Sequence, residues 1–376
     1  MEKNLEKRNR GKKNLLFLLL LFLVSGFLLQ NGAKPVYASS NSSAVSAAKR
    51  NKLTKGKWVQ NKQGIRYQKS NKKYQKSGWA MIADGIYYFD ADGYVKRGAF
   101  TLNGGNYFAD PKGKILVRQW RKKGKNYYYY DGNGRMVKSD WYRIQGKKYY
   151  FTRTGELVTN SWIGNSYVNK TGACVTNTTV SGRKIDKKGD IKNISSKDKY
   201  IIVGASRIVD MSVAVNSSNT VFIAKSGQGY HWLVSSAFPI LKKYLKQEPG
   251  CKVIFQLGNN DLENLRMYIE FYQKLIRKYP STEFYFSDAT PGNGEKDVAK
   301  NPRRQYFNSM MEAAFGERCI GGYDFMFSIG FKTVDGTHYT ASVSRQLYNN
   351  ICQKVKQLHI TGATAGGSKT VPDMVQ

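Results

Sequence analysis

The chain has 376 residues, with 61 Lys and Arg against 26 Asp and Glu, a net charge of +35, and 26 Tyr. At 41% hydrophobic and 23% charged residues it carries enough apolar material for a packed core, which excludes a wholly disordered chain, and its length sets two domains as the starting expectation. The base is unevenly spread: residues 51–170 hold 25 Lys and Arg and 7 Asp and Glu, net +18, whereas residues 199–360 hold 20 and 13, net +7.

Residues 1–13 carry six Lys and Arg, residues 15–29 are an almost unbroken apolar run, and Pro35-Val36-Tyr37-Ala38 ends in a small residue. This three-part plan predicts a secretory signal peptide over 1–38, cleaved after Ala38. As a helix the apolar run would reach about 22 Å, short of a bilayer core of about 30 Å, which argues against a retained anchor. Its removal takes away seven Lys and Arg and two Asp and Glu, leaving 54 minus 24, or +30, on an exported chain. Residues 39–55 read as a linker. The four cysteines, Cys174, Cys251, Cys319 and Cys352, match no zinc spacing and form no Cys-x-x-Cys, so disulfides and buried thiols both stay open.

From 56 to 175 the sequence repeats. Trp58, Trp79, Phe100, Trp120, Trp141 and Trp162 recur every 20 or 21 residues, each followed by an aromatic residue or cluster such as Tyr87-Tyr88-Phe89 or Tyr149-Tyr150-Phe151. Polar, Gly-containing turns (Asp84-Gly85, Gln145-Gly146) precede the best-formed clusters, and Gly93, Gly113, Gly134 and Gly155 follow them. Period and turn chemistry predict six β-hairpins whose aromatic faces are buried by stacking into a solenoid. These units resemble the cell-wall-binding repeats of Gram-positive surface proteins, the family of choline- and glucan-binding modules. The resemblance implies attachment to the cell envelope. Choline-type repeats usually carry a second Trp at the head of the cluster, where this chain has Ile86, Asn106, Asn126 and Lys148. A glycan or an anionic, teichoic-type wall polymer is therefore expected as partner, and the basic charge is read as part of that tether rather than as a nucleic-acid surface.

Residues 176–198 lose the aromatics and read as a second linker. Beyond them, short apolar runs at 200–203, 220–224, 252–257 and 283–287 alternate with helical patterns near 232–247, 262–279, 302–315 and 340–357, which predicts an α/β domain with a parallel sheet over 199–360, followed by a flexible tail, 361–376. Ligands of such sheets bind beyond the carboxyl ends of the strands. There the sequence places Gly204-Ala205-Ser206-Arg207, Ser226-Gly227-Gln228-Gly229 and Gly258-Asn259-Asn260-Asp261, and, before the last helix, Asp335-Gly336-Thr337-His338. A serine, backbone-donor glycines, an amide and an Asp/His pair are the parts acyl transfer needs.

In this order the four blocks resemble the SGNH (GDSL-like) hydrolases, esterases and deacetylases on a flavodoxin-like three-layer sandwich. The resemblance implies Ser206 as nucleophile, His338 as base and Asp335 as its orienter, with an oxyanion hole from Ser206, Gly227 (or Gly229) and the Asn260 side chain. It departs from the family at Ala205, where an Asp is usual. The expected function is a secreted, wall-associated serine esterase removing O-acetyl groups from a glycan. Alternatives are a non-catalytic adhesin on a degenerate SGNH fold and a glycan O-acyltransferase. No metal or organic cofactor is expected. His231 and His359 read as structural or idle, Arg207 as a solvated charge, and Trp232 as either a sugar platform or helix core.

Overall fold

The computed structural model describes residues 43–195, 199–248 and 250–358; the expected signal peptide, His359 and the tail lie outside the described residues. The chain falls into two compact units, residues up to Gly98 with Ala109–Ile115, and Ala99–Phe108 with the rest.

The first unit opens on a short helix, Ala44–Arg50, capped by the Ser43 hydroxyl, and a strand, Lys52–Leu53, that pairs in parallel with Gly78–Ile82. The linker expected over 39–55 is thus folded in its described part. Two antiparallel hairpins follow, Gly56–Gln60 with Ile65–Lys69 and Gly78–Ile82 with Gly85–Phe89. Tyr67, Ala80, Ile82, Phe89 and Val95 form their core. Successive repeats are stitched by backbone: Val95 N–H donates to Ile65 O and Ile115 N–H to Ile86 O, both at 2.8–2.9 Å.

In the second unit the same rule continues. Hairpins form from Gln119–Lys123 with Asn126–Tyr130, Asp140–Ile144 with Lys147–Phe151, and Ser161–Ile163 with Ser166–Val168. Positive φ at Gln145-Gly146 gives the tight turn of the second of these, a geometry that suits the right-handed twist of the strands. After each hairpin a side-chain oxygen closes the exit turn. Asp131 Oδ1 accepts from Asn133 and Arg135 N–H at 2.8 and 2.9 Å, and Asn169 Oδ1 from Thr171 and Ala173 N–H.

Residues 176–198 are not a linker in their described part. Thr178–Val180, Arg183–Ile185 and Ile191–Asn193 form a three-stranded antiparallel sheet, a seventh copy of the hairpin. Asp186 Oδ1 closes its exit turn on Lys188 and Asp190 N–H, and Ile191 N–H donates to Asn165 O as in earlier repeats. The copy lacks the Trp and Tyr that mark the others because its partner surface differs. Ile185 and Ile191 pack into the core of the α/β half, and the buried Arg183 guanidinium stacks on Trp162 and bonds Thr220 O.

That half is built on β1 (Tyr200–Gly204), β2 (Thr220–Ala224), β3 (Lys252–Gln256), β4 (Glu283–Ser287) and β5 (Cys319–Gly321), all parallel, in the order β2-β1-β3-β4-β5. This is the order of flavodoxin-like doubly wound sheets. Helices α1 (Ser206–Val215) and α5 (Ala341–Gln357) cover one face through Ile208, Met211, Leu347 and Ile351. Helices α2 (Phe238–Gln247), α3 (Leu265–Lys278) and α4 (Asn301–Phe315) cover the other through Leu241, Tyr268, Tyr272 and Phe307. The strands are buried on both sides, which is why they read as continuous apolar runs. Helix α1 was not expected as a helix, since its Ile208, Val209, Val213 and Val215 are β-branched, and β5 is too short to leave a hydropathy signal. All four cysteines are free thiols, Cys251 buried and the others half-buried.

Candidate active site

Ser206 is the first residue of α1, immediately beyond the carboxyl end of β1. Its Oγ lies 2.8 Å from His338 Nε2. His338 Nδ1 in turn lies 3.0 and 2.9 Å from the two Asp335 carboxylate oxygens. Asp335 also accepts the backbone N–H of His338 at 2.8 Å, so the three-residue spacing folds into one tight turn. Residues more than 130 positions apart thus meet in the order expected of nucleophile, base and orienter. Burial pushes the His338 pKa below the ordinary imidazole value, aided by the nearby Arg153 cation and opposed by Asp335. The Asp335 carboxyl is held below its usual range despite partial burial, by hydrogen bonds and charge from His338. Burial and Arg153 favour the neutral imidazole against the pull of Asp335, and Nε2 is free to accept a proton from Ser206 when Nδ1 carries the hydrogen toward Asp335.

The loops after β2 and β3 are tied together. Asn260 Nδ2 donates to Gln228 O at 2.7 Å, and Asp261 accepts Tyr230 N–H at 2.6 Å and Tyr268 O–H at 2.9 Å. Gly229 is required there, because a Cβ would lie 2.2 Å from the Asp261 carboxylate. Asn260 is exposed and lines a cavity of about 110 Å³ with Ser206, Arg207, Gln256, Asn259 and Arg304. One of its two amide hydrogens is engaged and the second remains for a ligand. Gly227 sits in an exposed turn at φ +71°, and neither it nor Gly229 is among the residues lining the cavity.

Arg207 corrects the expectation of a solvated charge. It is 6% exposed, donates to Thr337 O at 3.1 Å and Thr290 Oγ1 at 2.8 Å, and packs over the Tyr339 ring. It thereby pins the segment that carries His338 onto α1. A second buried chain supports the same segment: Arg304 bonds Asn259 Oδ1 at 2.9 Å and pairs with Asp297, which accepts from the Thr337 hydroxyl. Neither network is foreseen: Arg207 stands beside Ser206 in the first block but reads there as a solvated charge, and Arg304 and Asp297 belong to no motif. Of the remaining candidates, His231 is exposed and edge-on to Tyr230, and Trp232 packs against the core of the α2/α3 face.

In the hairpins, Trp58 and Trp120 keep 41% and 36% of their surface exposed, enough for ligand contact. Trp58 lies 5.0 and 4.8 Å from the Tyr67 and Tyr87 rings, and Trp120 lies 5.1 and 5.4 Å from Tyr129 and Tyr149. Each Trp is thus flanked by rings of its own hairpin and of the next.

Comparison with known proteins agrees for this region. Residues 117–162 match the family model of the choline-binding repeat and residues 77–95 that of a putative cell wall binding repeat. The hairpins within these two stretches are therefore cell-wall-binding repeats. Among solved structures, choline binding protein F of Streptococcus pneumoniae is 28% identical over 36% of this chain, at a TM-score of 0.33, and the chain spans about half (47%) of its length. The modular autolysin LytC of the same organism is 16% identical over 72% of each chain, TM-score 0.31. A truncated alternansucrase from Leuconostoc mesenteroides is 23% identical over 27% of this chain and 10% of its own, TM-score 0.25. No match was found among curated proteins. Among the described residues no helix is long and apolar enough to cross a membrane.

Proposed function

We propose that the chain is a secreted, wall-associated serine esterase of SGNH type that removes O-acetyl groups from a wall glycan. The observation that carries this reading is the Ser206–His338–Asp335 array at 2.8 and 2.9 Å. Ser206 Oγ attacks the ester carbonyl carbon while its proton passes to His338 Nε2, and Asp335 holds the Nδ1–H of the imidazolium that forms. The oxyanion meets the Ser206 N–H at the α1 N-terminus and the second amide hydrogen of Asn260. Collapse expels the sugar oxygen, which takes the proton from Nε2. Water then attacks acetyl-Ser206 as His338 Nε2 takes its proton; the bond from the acyl carbon to Ser206 Oγ breaks, Oγ takes the proton back from Nε2, and acetic acid leaves and ionises to acetate. The cavity of about 110 Å³ beside Ser206 has room for an acetyl group.

The repeats supply the tether. Their exposed Trp58 and Trp120 ring sets suit a quaternary ammonium such as choline on teichoic polymer, or a sugar face, and the local net charge of +18 adds attraction to a phosphate-rich chain. The matched repeat models favour choline more than the missing second Trp of each cluster suggests.

Wild type should be labelled by a fluorophosphonate probe and release acetate from acetylated xylan or peptidoglycan, with both lost in Ser206→Ala. Equal release by the two proteins on every ester would sink the esterase reading. The exposed Gly227 favours a second one, a wall adhesin with a degenerate site, which fails if the probe labels wild type and not His338→Ala. An acyltransferase would give the same labelling and differ only in forming an acylated sugar when a glycan acceptor is added. For the tether, free choline should elute the protein from purified walls. Binding that withstands free choline but is abolished by removing teichoic acid would point to the charged polymer backbone.

A further inference from the structure

Arg153 stands in the Thr152–Gly155 turn that closes the hairpin Asp140–Phe151, a cell-wall-binding repeat, yet its guanidinium is only 15% exposed. Its Nε lies 2.8 Å from Asp210 Oδ2 on α1 and its Nη1 3.8 Å from Asp335 Oδ2. Asp210 follows Ser206 by four residues, so the two share a face of α1 one turn apart. The turn is held against α1 by apolar contact as well: Tyr150, Val158, Ile163 and Val168 form one cluster with Val209. An arginine from the wall-binding repeats therefore sits between two carboxylates, one on the nucleophile's helix and one that orients His338.

We propose that Arg153 is a positioning residue of the Ser206 site, bridging Asp210 and Asp335 so that the repeats complete the array. The proposal rests on the acyl-transfer reading above. Without the guanidinium, Asp210 and Asp335 would repel across the gap, and Asp335 would lose the one cation that approaches it from outside its own loop within ion-pair distance among the described residues. The charged groups around His338 are Asp335 on its own loop, Asp210 on α1 and Arg153 on the hairpin turn; Arg207 on α1 acts on Asp335 and holds Thr337 O. The cation and the two carboxylates push the imidazole in opposite directions.

The full chain and its Arg153→Gln, Arg153→Lys and Asp210→Asn variants test this by NMR titration of the His338 ring, assigned against His338→Asn, alongside fluorophosphonate labelling from pH 4 to pH 8. Arg153→Gln should raise the His338 midpoint by about one unit and cut labelling about tenfold at pH values below it. Arg153→Lys should restore most of both, and Asp210→Asn should move the midpoint downward. Opposite shifts from two members of one ion pair cannot arise from general loosening of the fold. An unmoved midpoint in Arg153→Gln, or shifts of the same sign in Arg153→Gln and Asp210→Asn, would overturn the proposal. Opposite shifts in a protein that no probe labels would leave the bridge standing and sink the serine chemistry instead.

Discussion

The hairpin repeats and the α/β half solve the same problem, burial of apolar surface, at different ranges. A repeat buries Tyr or Phe against the next hairpin and closes its turn with one side-chain oxygen, so most of its contacts lie within some thirty residues. The α/β half draws β1, β3 and α5 together across 150 residues, and its two cores lie on opposite faces of one sheet. Local construction lets a repeat be added or varied at little cost to its neighbours, whereas the sheet places Ser206 and His338 only when all of it is formed. Binding suits the first and chemistry the second.

Four substitutions or conditions would break or sharpen that contrast. Ser206→Ala should lower kcat against acetylated glycan by about 10³-fold or more while leaving wall binding intact, measured by acetate release and by pull-down. Next in size, Phe255→Ala on the fully buried β3 should destabilise the α/β half by about 3–5 kcal/mol, read as a fall in its urea midpoint, with the aromatic signal of the first two hairpins unchanged. A loss of that signal at the same urea concentration would mean the repeats do not stand locally. The pH profile follows. The base must be unprotonated, and burial holds the folded His338 pKa down, so kcat/KM should stay at its plateau below the ordinary imidazole value and fall only as pH drops through the depressed pKa. An acid limb at or above that value would contradict the buried, Arg153-flanked imidazole. Smallest, Asp131→Ala should cost about 1 kcal/mol in one exit turn and leave esterase activity unaltered, checked by thermal melting.

Much of this was legible in the residues. Four of the sheet's five strands were readable as apolar runs, because strands buried on both faces have no polar side to interrupt them. Ser206, Asn260, Asp335 and His338 were findable since each stands in a short block beyond a strand or before a helix. The seventh hairpin was missed by following aromatics; Asp186 with Gly189 repeats the turn spacing of Asp131 with Gly134 and was the better signal. Arg207 stands in the first of those blocks but its burial does not show there, and Arg304 and Arg153 stand in none. A buried arginine is defined by which distant carbonyls and carboxylates surround it, and sequence spacing carries no trace of them.

The seventh hairpin has a mechanical consequence. A flexible spacer of the 23 residues from 176 to 198 would let a catalytic cleft wander by about 26 Å around its anchor, sampling any strand of wall within that radius. Here Arg183 and Ile185 fasten most of that segment to the sheet. Under the proposed function, polymer held by the repeats nearest Ser206 would reach it at one angle and one standoff, and substrate choice would become a matter of surveying geometry rather than of diffusion at the end of a tether.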